Sequence, residues 1–209
     1  MRKIQTGRNG RSLRDADIRE PLHHWLWEQH ADIGTSILHE VSIPRPSARM
    51  DVTVVNGKIC GFEIKSDVDR LTRLRAQEPA FSAVCDEVCL VTTSRHLKSS
   101  RSSIPSWWGI VVARSSEDGV IFEERRSPKK NKQSNNEALL YMLNRAELKQ
   151  VLREAGMSRM RQSELIDAII QRISSDDLRS RARDALKRRA TYAYSSSPPP
   201  LKNSITPGA

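Results

Sequence analysis

The chain has 209 residues, 37% of them apolar, and a formal net charge of +10. That length holds one full domain and a small second one, and no run approaches the ~20 apolar residues a membrane-spanning helix needs. Three cysteines are too few and oddly numbered for a disulfide framework and fit a reducing, cytoplasmic compartment.

The charge is unevenly placed. Residues 1–124 contain 17 basic and 17 acidic side chains, whereas residues 125–209 contain 18 and 8. A neutral first part followed by a basic one suits a polyanionic partner held through phosphate contacts and counterion release. In chain order, residues 1–14 read as a basic flexible arm, with glycines that break any amphipathic helix. Asp15 is a plausible N-cap for a helix to about His30, with Ile18, Leu22, Trp25 and Leu26 on its buried stripe. His23 and His24 are neighbours, so they point about 100° apart and share no ligand face; one should pack and the other be wet. Ser36 to Ile43 alternates as a strand, with Ile37, His39, Val41 and Ile43 on one face and Leu38, Glu40 and Ser42 on the other. Glu40 is an acid in the apolar middle of that strand, unusual unless paired or ligating.

The stretch Met50 to Asp67 carries the chemistry. Two apolar, β-branched runs flank Asn56-Gly57, a strong hairpin signal. A three-residue loop over Asn56, Gly57 and Lys58, with Gly57 or Lys58 left-handed, puts Asp51 opposite Glu63; a two-residue loop would place them on opposite faces. In the first register Lys65 joins them, because strand side chains alternate with period two. Two carboxylates so close repel unless a cation lies between them. Two carboxylates with the Ile64 carbonyl form an all-oxygen donor set for Mg²⁺ or Mn²⁺. Lys65 would serve an attacking water or steady charge on a phosphate.

After Asp67 the period changes to helical. Leu71, Leu74, Gln77 and Phe81 share a face, and Pro79 predicts a kink or break near Glu78. Glu87 to Thr93 reads as a central strand buried on both faces, Ser94 to Ser103 as a basic loop, and Gly109 to Ala113 as another strand. Val120 to Glu124 reads as an edge strand. Trp107-Trp108 could stack on bases, though core packing is the default for tryptophan. Cys85 and Cys89 are four apart, but with no second pair they read as small buried residues and not as zinc ligands. Residues 126–137 read as a linker, and 138–191 as a helical basic module with a capping-box start at Asn144 to Glu147 and a helix stop at Gly156. A second helix is marked by Leu165 to Ile173, and a third is capped by Ser174 to Asp177. Residues 192–209 read as a disordered tail.

Asp51, eleven intervening residues and then Glu63-Ile64-Lys65 resemble the D-x(n)-E-x-K signature of the PD-(D/E)XK nuclease superfamily, with Met50 where its proline usually stands. The wider string, with Asp17-Ile18-Arg19, Arg49-Met50-Asp51, Gln77 and Pro105 to Ile110, resembles small bacterial and phage proteins of that superfamily over about Asp15 to Glu124. The resemblance implies that Asp51 and Glu63 hold a divalent metal, that Lys65 serves the water, and that Glu40 and Gln77 assist. Leu143 to Ile170 resembles the SAP motif, a helix-loop-helix DNA-binding module, with Met160-Arg161 where its glycine would stand. The expected fold is therefore an α/β, restriction-endonuclease-like mixed sheet flanked by helices (residues 15–125), followed by the helical module. The expected activity is metal-dependent cleavage of nucleic acid, DNA more than RNA, with a non-catalytic binding protein of the same fold as the rival. Candidate phosphate contacts are Arg19 and Arg49 in the first part and Arg145, Lys149, Arg159 and Arg161 in the second. Deleting residues 126–209 is expected to weaken DNA binding and flatten its salt dependence.

Overall fold

The computed structural model describes residues 11–30, 34–152 and 160–193, with side chains to residue 189. The basic arm up to Gly10, Gly156, Arg159 and the tail from Tyr194 lie outside the described residues.

Six strands form one mixed sheet in sequence order: β1 (Ser36–Pro44), β2 (Ser47–Asn56), β3 (Lys58–Lys65), β4 (Glu87–Thr93), β5 (Gly109–Ser116) and β6 (Gly119–Arg126). β1, β2 and β3 are antiparallel, β3, β4 and β5 parallel, and β6 closes the far edge antiparallel to β5. The parallel pairs require crossovers. They are supplied by α2 (Leu74–Val84), which follows a 3-10 turn at Leu71–Arg73, and by α3 (Leu97–Ser103).

The sheet is covered on both faces. On one side α1 (Asp15–Gln29) buries Ile18, Leu22 and Leu26 against Val52, Val54, Phe62, Ile64, Val91 and Val111. On the other side α2 packs Leu74 and Phe81 on Val55, Ile59, Leu90 and Ile110. Trp108 is fully buried 5.8 Å from Phe81, and Trp107 is partly buried against the same core, so the pair packs. Cys85 lies on the α2 side and Cys89 on the α1 side, so they share no ligand face.

The hairpin register is the one that brings the carboxylates together: Val52 faces Phe62 and Asn56 faces Lys58, with Gly57 at φ +62° as the turn. The alternation expected along β1 fails at one place. Ile37 points to the α1 side, whereas Val41 and Ile43 join the α2 side with Leu38. The cause is Glu40, at φ +54°, the one non-glycine residue among those described with a positive φ. β2 changes face opposite it: Met50 lies on the α2 side, but Val52 and Val54 on the α1 side. His39 still faces Val52 and Val41 still faces Met50, so both strands turn over together at Glu40 and Asp51 without losing register.

Three local expectations are corrected. Helix α2 runs through Pro79 without a break. The missing proline N–H costs only the Arg75 carbonyl its partner, at an exposed residue near the helix start where solvent can replace it. Residues 97–103 form helix α3 where a loop was expected, with the hydroxyls of Ser99, Ser100 and Ser103 bonded back to carbonyls within one turn. The segment expected as a linker is tied to the body. Asn131 is buried, its amide donates to the carbonyls of Ser82 and Cys85 at 2.6 and 2.8 Å, and its backbone N–H donates to the Asp86 carbonyl.

The chain ends in α4 (Asn136–Tyr141), α5 (Arg145–Leu152), α6 (Gln162–Arg172) and α7 (Ser175–Ala193). The capping box at α5 is present: Asn144 N–H donates to Glu147 at 2.7 Å, and Glu147 N–H to Asn144 Oδ1 at 3.0 Å. Leu139, Leu165, Ile169, Leu178 and Leu186 join the same apolar cluster as Leu74, Phe81 and Trp108.

Candidate functional site

The site sits where the two facing strands turn over, at the carboxyl end of β3. Ladder pairing between β2 and β3 stops at Val52 and Phe62. Beyond that point the Asp51 side chain takes over the bonding, and its Oδ2 accepts the Ile64 N–H at 2.8 Å. In an extended strand the N–H and C=O of one residue point to the same side, so the Ile64 carbonyl also faces this gap.

Glu63 and Lys65 alternate onto the α2 side of β3 and are buried there, 2% and 5% exposed. Lys65 Nζ pairs with Glu63 Oε1, and Gln77, aimed inward from α2, donates to the same oxygen at 2.9 Å. Glu63 Oε2 and Gln77 Oε1 are buried and find no hydrogen-bond partner among the described residues. Burial first, and then the nearby Asp51 charge, push the Glu63 carboxyl from its ordinary 4.5 up to about 7, against the opposing pull of Lys65 and Gln77.

Asp51 is held from the α1 side by Arg19. One guanidinium nitrogen of Arg19 lies 3.1 Å from Asp51 Oδ1, and another donates to the Asp51 carbonyl at 3.3 Å. The same guanidinium pairs with Glu40 at 2.7 Å and with Asp15 at 2.9 Å. Burial works against the charge of Arg19, but Asp15 and Asp51 outweigh it and raise its pKa, so it stays a fixed cation. Glu40 closes the chain by pairing with Arg49 at 2.5 Å. Its carboxylate thus bridges two arginines, which explains an acid in mid-strand.

Asp51, Glu63, Ile64, Lys65, Gln77, Arg19, Glu40 and Arg49 are therefore brought together. Arg145, Lys149 and Arg161 are not among them: they lie at α5 and the start of α6, and Arg161 pairs with Glu164 at 2.7 Å. Asp15 was read from sequence only as the N-cap; the cap is Arg14, and Asp15, as the first residue of α1, pairs instead with Arg19 four positions on, a spacing that announces such a pair. Nor was the His23–His39 contact between α1 and β1, with ring nitrogens 2.9 Å apart; His24 is exposed, as expected.

The donor set fits a hard divalent cation. Asp51, Glu63 and the Ile64 carbonyl offer only oxygens, and Glu63 Oε2 is a buried acceptor with no donor among the described residues. Among the described residues no group of three or more His, Cys, Asp or Glu side chains gathers as a metal cage, so a cation here would rest on two carboxylates, a carbonyl and water.

The family described as Bacteriophage P4 protein cII matches residues 9–198, nearly the whole chain and every element described above. The chain belongs to this family. A curated relative, "Protein cII" of Enterobacteria phage P4, is 27% identical over 146 residues, 70% of this chain, and the match spans 55% of that relative's length. A solved structure described as the SPO1766 protein of unknown function from Silicibacter pomeroyi is 17% identical, covering 80% of this chain and 84% of that one with a TM-score of 0.38. The family shared with a phage protein accounts for the phage side of the likeness noted in the sequence. Among the described residues no helix is long and apolar enough to cross a membrane.

Proposed function

We propose that this protein is a Mg²⁺- or Mn²⁺-dependent nuclease of PD-(D/E)XK type that hydrolyses phosphodiester bonds of nucleic acid, DNA in preference to RNA. The observation that carries the reading is Asp51 bonded to the Ile64 N–H between Glu63 and Lys65, which pair with each other, while one buried Glu63 oxygen finds no partner among the described residues. Asp51, Glu63 and the Ile64 carbonyl would hold the cation, which when bound supplies a Lewis acid for water and phosphate. Lys65 Nζ lies beside Glu63 Oε1, where it can orient water and steady charge on a phosphate oxygen. Gln77 fixes the Glu63 carboxylate, and Arg19 fixes Asp51 from the opposite side of the sheet. The preference for DNA rests on the two resemblances, to the nuclease superfamily and to the SAP motif, whose expected helices α5 and α6 are present.

The test is nicking of supercoiled plasmid with Mg²⁺ or Mn²⁺, beside single-stranded DNA and RNA, together with calorimetric Mn²⁺ uptake. Asp51→Ala and Glu63→Ala should lose both metal uptake and cleavage. Lys65→Ala should keep most uptake and cleave on the order of a hundredfold more slowly, because a protonated amine is no ligand for a cation. A wild type inert on every substrate, or Glu63→Ala and Lys65→Ala proteins that cut as well as it does, would sink the enzyme reading. It would favour a non-catalytic nucleic-acid-binding protein, for which Arg19 and Lys65 already neutralise the carboxylates.

A further inference from the structure

The chain leaving β4 is stitched to the chain leaving β3, directly beside the candidate site. Thr92 Oγ1 donates to the Lys65 carbonyl at 3.0 Å, Thr93 Oγ1 to Asp67 Oδ1 at 2.6 Å, and Arg95 to the Asp67 carbonyl at 2.8 Å. Arg95 is thereby anchored two residues beyond Lys65, and α3 follows at once, carrying Lys98 and Arg101 into solvent. From Val88 to Ser116 the sequence contains no Asp or Glu. Among the described residues Arg95, Lys98 and Arg101 enter no ion pair, unlike Arg114, which pairs with Glu123 at 3.3 Å.

The cations are also crowded. Arg126 donates to the carbonyls of Trp108 and Pro105 at 2.7 and 3.0 Å; its burial, and then the nearby Arg101 charge, lower its pKa. Such a cluster, left without internal compensation, is costly alone and favourable beside a polyanion. Asp67 and Asp69, the acids that follow β3, are already bonded within the fold: Asp67 accepts from Leu13 N–H and Thr93, and Asp69 from the Ser66 N–H and hydroxyl. The α3 hydroxyls of Ser99, Ser102 and Ser103 are spent on the helix's own backbone. Charge is therefore what this ridge offers, and charge reads phosphates and not base edges.

We infer that Arg95, Lys98 and Arg101 form a sequence-independent grip on the sugar–phosphate backbone of nucleic acid entering the site at the carboxyl end of β3. This rests on the reading that the ligand is nucleic acid, but not on cleavage. The experiment is binding of labelled duplex and single-stranded DNA, by fluorescence anisotropy, across a salt series in chelator. Each phosphate contact contributes about 0.9 to the slope of log affinity against log salt on duplex DNA. Replacing the three cations by glutamine should therefore lower the slope by about 2.7, while K98R/R101K should keep it. If R95Q/K98Q/R101Q unfolds because the Asp67 tie is lost, K98Q/R101Q keeps Arg95 and should lower the slope by about 1.8. A wild type that binds with a salt slope unchanged in these glutamine variants overturns the grip alone. A wild type that binds neither DNA form overturns the nucleic-acid reading with it.

Discussion

Glu63 concentrates the energetics of the site in one side chain. It is buried, and burial together with Asp51 raises its carboxyl to about 7. For an acid raised in the folded state, the neutral form is the one the fold prefers. Its contribution to stability is therefore full below about pH 4.5 and is lost as pH rises through about 7. The shift corresponds to about 3 kcal/mol across that window, since one pKa unit is worth about 1.4 kcal/mol. In chelator, wild type should lose stability relative to Glu63→Gln between pH 4.5 and 7.5, read from denaturant midpoints at each pH. A constant difference between the two proteins would show that Lys65 holds Glu63 ionised throughout.

At the scale of elements, the hairpin of β2 and β3 sets the geometry that every other part serves, and its turn depends on one residue. Gly57 stands at φ +62° with open space where a Cβ would be built, so Gly57→Ala is a test of conformation without packing. It should cost about 1–2 kcal/mol in urea unfolding and leave the fold intact. A neutral result would mean the turn is free to adopt another form. The register around this turn was legible because an Asn-Gly pair and two β-branched runs leave few alternatives, and a one-residue slip would bury the wrong face. The turnover at Glu40 and Asp51 was not legible, because each half of β1 alternates correctly by itself and the change of face hangs on a single backbone angle. Nor was α3, a Ser-rich helix with only Ser100 buried and hence no apolar stripe to announce it. Gln77 was legible as a polar residue in an apolar stripe, and its aim at Glu63 survives because Pro79 leaves the helix unbroken.

Across the whole molecule, the C-terminal helices and the sheet share a core. Arg179 on α7 pairs with Asp86 at 2.8 Å, and Arg45 in the β1–β2 turn lies 4.5 Å over the Tyr141 ring on α4. Glu147, mostly buried at the start of α5, is held by Arg189 of α7. Cutting the chain at residue 126 would strip Leu139, Leu165, Ile169 and Leu186 from the cluster that contains Phe81 and Trp108. The truncated protein should then fail to fold, so the DNA-binding share of the basic helices is better measured by neutralising charges on α7 than by deletion. The coupling itself can be read through tryptophan, because all four tryptophans, Trp25, Trp27, Trp107 and Trp108, belong to the sheet part of the chain. Leu186 lies on α7 and is fully buried, so Leu186→Ala should cost about 2–5 kcal/mol. With one cooperative unit, that loss must lower the tryptophan-fluorescence transition and the helical circular-dichroism transition together. A helical signal that melts early while the tryptophan transition stays in place would instead establish two independent units.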